Sequence, residues 1–231
     1  RNENGLPDSA PSAPAVAGFG TWAEQLIAES VGKQGKGIVL IHDEPMRAVS
    51  SYGADRFFIE LQLASEPDAA LAAHADALAA AEHPIIRIQW DDRYDLAGEA
   101  VKWLIATTIV GSLLGVNPFD EPNVQESKDR TKALLEQYAR TRRLPDETPV
   151  RSEGGVNAFG DGLPRLPRGS LAQCLGGFFR RRKPGDYAAV LSFLPRTPSL
   201  DRATAALREQ LGAQLGLPTM LGIGPRYLHS T

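Results

Sequence analysis

Gln25 and Glu29 stand four residues apart in the run Gln25-Leu26-Ile27-Ala28-Glu29-Ser30-Val31-Gly32-Lys33-Gln34-Gly35-Lys36-Gly37. On a helix, positions i and i+4 share one face, so an amide and a carboxylate could serve a single site. Glu29 falls at the helix end, just ahead of a glycine-rich turn. A carboxylate there gains nothing from the helix dipole and its pKa tends to rise, which suits a general base working near neutral pH. On its residues alone, the pair also fits a solvated helix face.

A second segment, Asn117-Pro118-Phe119-Asp120-Glu121-Pro122-Asn123-Val124-Gln125-Glu126-Ser127-Lys128, reads as a turn into a helix. Asp120 is a natural N-cap and Pro122 suits the first helical position, leaving free backbone N–H groups that could face an anion. Lys128 follows about two turns farther in. The plain alternative is a capped helix with an exposed lysine. A third feature, Arg180-Arg181-Arg182-Lys183 after Gly177-Phe178-Phe179, is the strong basic cluster of the chain. It reads first as a solvated loop and only second as a phosphate or partner contact.

The elements that must position these residues alternate between branched, strand-like runs and helical patterns, the signature of an α/β fold with a mainly parallel sheet flanked by helices. The pattern predicts a helix over 20–30 with Trp22, Leu26 and Ile27 on its apolar side and Gly32 as C-cap. Strands are expected at 37–41, 57–63 and 85–90, with an Ala-rich helix at 67–81. A long helix at 96–114 closes on Gly115, and another runs from the 117–120 turn to about Arg140. Residues 141–183, rich in Pro and Gly, read as a long loop or insertion. The pattern resumes with a strand at 187–194, a helix at 199–215 and a strand at 219–223. One sheet with an insertion is the preferred arrangement, the later strand-helix-strand unit being too small to stand comfortably alone.

The 231 residues are 42% hydrophobic, enough for a proper core, and carry 25 basic against 28 acidic residues. A net charge of −3 gives no bulk attraction for nucleic acid or for an acidic membrane surface, so an anionic ligand needs local groups. Cys174 is the single cysteine, which excludes an intramolecular disulfide framework and fits a reducing compartment. The longest apolar run, about 105–116, is broken by Thr107, Thr108, Gly111 and Ser112, and no stretch reads as a signal peptide or membrane span. A cytoplasmic protein without nucleic-acid or membrane partners is the expectation. The chain opens at Arg1 and stops at Thr231 soon after an apolar run, and a piece of a longer protein is expected.

Taken together, the two segments resemble the glucose-6-phosphate isomerase family, in the family's order. That family carries a Gln-x-x-x-Glu-Ser-x-Gly-Lys segment followed by one of the form Asn-Pro-Phe-Asp-Gln-Pro-x-Val-Glu-x-x-Lys. Residues 17–40 and 100–135 carry the likeness. The tail Gly224-Pro225-Arg226-Tyr227-Leu228-His229-Ser230-Thr231 is similar to a late segment of bifunctional transaldolase/glucose-6-phosphate isomerases.

The resemblance implies a three-layer sandwich of the sugar-isomerase (SIS) type over residues 1–231, with the insertion at 141–183. A preceding isomerase domain, and any transaldolase domain, would lie outside this chain. It further implies interconversion of glucose 6-phosphate and fructose 6-phosphate through a cis-enediol, without metal or organic cofactor. Glu29 would shuttle the proton, Lys128 would act near the ring oxygen and phosphate end, His229 would assist ring opening, and Gln25 would orient substrate. A homodimer is also implied. Two departures stand out. Glu121 replaces the family glutamine, and no Ser/Thr-rich phosphate loop precedes Gln25, so this chain alone is expected to bind phosphosugar poorly. A non-catalytic phosphosugar-binding module of the same fold, and an isomerase of another phosphosugar such as mannose 6-phosphate, remain as alternatives.

Overall fold

In the computed structural model the described residues are 14–120, 122–160, 163 and 169–229. Most of the polar opening segment, together with Glu121, Pro164, Pro167, Ser230, Thr231 and the side chain of His229, lies outside them. The protein is mixed α/β and divides into two compact units, one of Arg1–Glu121 with Tyr187–Thr231 and the other of Pro122–Asp186.

The first unit begins with α1 (Pro14–Val31), which starts earlier than the expected 20–30. Its core stripe is Val16, Phe19 and Ala23 rather than the expected Trp22, which is 36% exposed; Leu26 and Ile27 are half-buried. Phe19 explains the choice, because its ring meets Trp90 edge-on at 5.3 Å and Trp103 edge-on at 5.5 Å, and one side chain thereby joins three elements. β1 (Phe58–Leu63), α2 (Ala69–Ala80) and β2 (Ile85–Trp90) form a βαβ unit whose strands pair in parallel, Phe58 opposite Ile85 through Leu63 opposite Trp90. Asp68 caps α2 by accepting from the amides of Ala70 and Leu71, each at 2.9 Å.

α3 (Asp95–Leu114) ends on Gly115 in the left-handed conformation, φ 66°. Contrary to the expectation that no stretch reads as a span, α3 is long and apolar enough to cross a membrane by length and composition. Only 17% of that apolar stretch is buried: α3 packs against α1 and carries Glu99 buried, accepting from Trp103 Nε1 at 3.0 Å, while Val101, Leu104, Ile105, Ile109 and Leu113 stay exposed.

The strands called β5 (Ala188–Ser192) and β6 (Thr219–Ile223) are likewise parallel and joined by a helix, α6 (Pro198–Leu215), capped by Thr197 and closed by Gly216 at φ 65°. A short 3-10 turn, Arg226–His229, follows β6.

The expected single sheet is not formed: among the described residues β1–β2 and β5–β6 are separate two-stranded parallel sheets. The difference centres on 37–41, which was expected to be a strand and pairs with neither. This segment is non-helical and sends Leu40 toward the α1 core, but Ile38 and Val39 stay exposed at 37% and 48%. Just beyond it, the carbonyls of His42 and Asp43 are taken by the Arg208 guanidinium at 2.9 and 2.8 Å. Branched residues favour extended backbone, but a strand also needs a partner ladder, which is a tertiary matter.

The second unit contains α4 (Pro122–Thr141), the antiparallel pair β3 (Arg151–Glu153) and β4 (Val156–Ala158), and α5 (Leu171–Phe179). The expected insertion therefore contains regular structure. Gly154 and Gly155, at φ 58° and 80°, make the two-residue hairpin turn. Ser170 and Gln173 form a capping box on α5.

Candidate functional site

The last turns of α1 carry Gln25 and Glu29 on one face, as their spacing requires. Gln25 Nε2 donates to Glu29 Oε1 at 3.0 Å. Gln25 is half-buried and Glu29 exposed, so the amide fixes the rotamer of a carboxylate that keeps contact with solvent.

Beyond the helix the chain reverses in a tight turn. Lys33 and Lys36 exchange backbone hydrogen bonds at 3.1 and 2.9 Å, and the two residues between them, Gln34 and Gly35, both have positive φ (57° and 71°). This is the two-residue turn that joins twisted hairpins, and glycine is favoured at its second position. Gly32 occupies the C-cap position, its amide donating to the Ala28 carbonyl at 3.0 Å; a Cβ on it would stand 2.6 Å from that carbonyl oxygen.

The turn is bolted down by two lysines, Lys33 to the second segment and Lys36 to the end of α3. Lys33, with a side chain only 3% exposed, places its ammonium on three oxygens: the Asn117 carbonyl at 2.8 Å, Asp120 Oδ1 at 2.8 Å and the Asp120 carbonyl at shorter range. Burying an ammonium costs several kcal/mol unless its donors are matched, and three acceptors match three N–H groups. Lys36 Nζ donates to the Leu114 carbonyl at 2.8 Å, where a cation answers the unsatisfied end of α3. On the receiving side, Asn117 Oδ1 accepts from the Phe119 amide at 3.0 Å, holding the turn. Asp120, expected as the N-cap of the following helix, gives its carboxylate to Lys33, and α4 begins at Pro122.

Lys128 stands exposed on α4, in the second unit, whereas Gln25 and Glu29 belong to the first. The backbone of His229 closes the 3-10 turn after β6. The basic cluster 180–183 is exposed at the C-terminal end of α5, with the Arg180 amide donating to Gly176 and Arg182 Nη1 reaching the Phe179 carbonyl at 3.4 Å. Cations at that end answer the helix's own carbonyls, in keeping with the plain reading of the cluster.

A second polar cluster in the first unit went unremarked in the sequence. Glu24, 4% exposed, accepts from Arg226 Nη1 at 2.8 Å, and His42 Nε2 lies 3.9 Å from the same oxygen. His42 Nδ1 meets Asp43 Oδ2 at 3.0 Å, and this hydrogen bond, with the positive charge of His42 and Arg208, holds the Asp43 carboxyl below its ordinary range against the opposing effect of burial. Arg208 donates four hydrogen bonds, to the carbonyls of His42 and Asp43 and twice to Thr219, and its burial pushes its pKa down. Glu44 Oε1 completes the link by accepting from the Thr219 amide at 2.9 Å. The signal available for Glu24 was its place in the helix: Gly20 and Val31, four before and seven after, share its buried side of α1. Nothing local marked Arg226 as its partner.

Among the described residues no group of three or more His, Cys, Asp or Glu side chains is gathered as a metal site. Comparison of the chain with protein-family models, with curated proteins and with solved structures returns no match.

Proposed function

We propose that this chain is the base-carrying part of an aldose–ketose isomerase that interconverts glucose 6-phosphate and fructose 6-phosphate. The supporting observation is the Lys33 ammonium, which joins the Gln25–Gly37 and Asn117–Asp120 segments across 84 positions of sequence. Those are the two stretches on which the resemblance to glucose-6-phosphate isomerases rests, and their contact in space is what one shared site requires.

In this reading the open-chain sugar lies with its C2 hydrogen against Glu29. The carboxylate removes that proton, the electron pair forms the C1–C2 double bond, and the aldehyde oxygen is protonated to give the cis-enediol. The same carboxylic acid then returns the proton to C1 as the C2 hydroxyl releases its own proton, balancing the one taken up at the aldehyde oxygen, and becomes the ketone. Gln25 holds the carboxylate in orientation, and the resemblance assigns Lys128 a role toward the ring oxygen and phosphate end and His229 a role in ring opening. The chemistry is proton transfer throughout and calls for no metal or organic cofactor. On this reading the chain belongs to a longer cytoplasmic enzyme of the SIS type, whose preceding isomerase domain supplies the phosphate loops and which works as a homodimer.

A coupled isomerase assay on the longer parent chain tests the reading. Glu29→Gln is expected to lower kcat by about 100- to 10,000-fold, the usual contribution of a positioned general base, and Lys128→Ala to lower kcat/KM. Near-normal turnover by Glu29→Gln removes the proposed base. Phosphosugar binding without turnover in the wild-type parent identifies a sensor module instead, and preference for mannose 6-phosphate identifies a different isomerase.

A further inference from the structure

Glu24 is an expensive residue to place where it is. Its side chain is 5% exposed on the face of α1 that meets the 3-10 turn Arg226–His229, and a carboxylate taken out of water loses several kcal/mol of hydration. Arg226 Nη1 answers it at 2.8 Å across 202 positions of sequence. The pair is buried at Glu24 and 32% exposed at Arg226; such a pair contributes little net stability compared with a well-packed apolar pair, and its effect is to tie α1 to the turn. The turn is held on its other side by Tyr227, whose ring meets Phe193 edge-on at 6.3 Å and whose Cβ lies against Gly222. Tyr227 therefore fastens the turn to the β5–β6 sheet, and Arg226 fastens it to α1.

We propose that Glu24 is a positioning residue of the isomerase site. Acting through Arg226, it sets the distance between the backbone that ends in His229 and the helix that carries Gln25 and Glu29. The proposal rests on the isomerase reading above. Within that reading, ring opening and proton transfer are done by groups on two elements, the 3-10 turn and α1, and the Glu24–Arg226 pair is the ion pair seen between those elements among the described residues. A displacement of about 1 Å between catalytic groups is enough to cost about 100-fold in rate.

The test uses the longer parent chain and three variants: Glu24→Gln, Glu24→Asp, and Glu24→Leu combined with Arg226→Met. The double variant replaces the charges by apolar groups, so a merely structural role predicts an unchanged or raised Tm and wild-type kinetics. A positioning role predicts the same Tm with kcat lowered about 10- to 100-fold and KM within about two-fold of wild type. Glu24→Asp, which keeps the charge on a shorter stem, should recover part of the loss. Wild-type kcat in a folded double variant, or in Glu24→Gln assayed well below its Tm, overturns the proposal while leaving the isomerase reading intact. A wild-type parent that turns over no phosphosugar overturns both.

Discussion

Lys33 Nζ lies 2.8 Å from Asp120 Oδ1 and equally close to the Asn117 carbonyl, with its own side chain 3% exposed and that of Asp120 47% exposed. The charge is buried on the lysine side and half open on the aspartate side. The ammonium therefore owes its place to the convergence of three oxygens, two of them backbone, more than to the ion pair alone. Replacing Lys33 by Met leaves the two carbonyls without this donor. The expected loss is about 1–3 kcal/mol, read from the urea midpoint at unchanged slope. Lys33→Arg should recover little, since the donors of a planar fork are spread over three nitrogens and do not fit three oxygens gathered around a single nitrogen. An unchanged midpoint for Lys33→Met would show that the two segments are held by something else.

Two glycines of α1 make opposite predictions. A Cβ on Gly20 would stand 2.8 Å from the His42 Cβ, whereas one on Gly18 meets nothing within 4 Å. Gly18→Ala should stabilise the protein by up to about 1 kcal/mol through helix propensity. Gly20→Ala gains the same propensity but pushes the 42–43 backbone from Arg208, and a net loss of about 1–2 kcal/mol is expected from overpacking. Thermal unfolding of the two variants side by side decides it; equal shifts of the same sign would contradict the close approach of α1 and His42.

These contacts show which parts of the molecule were legible beforehand. β2 and β6 match their expected limits, and α2, α3 and α6 match to within two residues, because such limits are set locally, as Gly115 sets the end of α3; the structure adds Asp68 and Thr197 as caps and Gly216 as a stop. The hairpin at Gly154-Gly155 and the capping box at Ser170 and Gln173 were equally local and were overlooked within a Pro-rich stretch. The unpaired run at Ile38 and Val39 failed for a different reason, since strand propensity says nothing about whether a ladder partner arrives. In the site, the Gln25–Glu29 bond follows from helical spacing, whereas the roles of Lys33 and Glu24 depend on partners 87 and 202 positions away and leave no mark in the local sequence.

His74 gives a pH dependence of known sign. Burial pushes its pKa below the ordinary 6.5, and its Nε2 lies 3.5 Å from the Tyr52 hydroxyl, with the Arg47 and Arg56 guanidinium groups over the Tyr52 ring. As pH falls through 6.5 the unfolded chain takes up the proton before the folded one, so stability falls with pH until the folded-state pKa is passed. His74→Phe removes that contribution. The difference in urea midpoint between wild type and His74→Phe should shift in favour of the variant as pH is lowered from 7.5 to below 6. A difference independent of pH would mean that His74 titrates as it does in the unfolded chain.

The central claim is that one carboxylate, held by Gln25 at the end of α1, moves a proton at the second carbon of a sugar phosphate. Glucose 6-phosphate incubated in heavy water with the wild-type protein, and followed by proton NMR, should exchange hydrogen at C2 for deuterium. Glu29→Gln, whose substitution on an exposed helix position leaves the fold intact, should slow that exchange by about 100-fold or more. Exchange by Glu29→Gln at the wild-type rate contradicts the account.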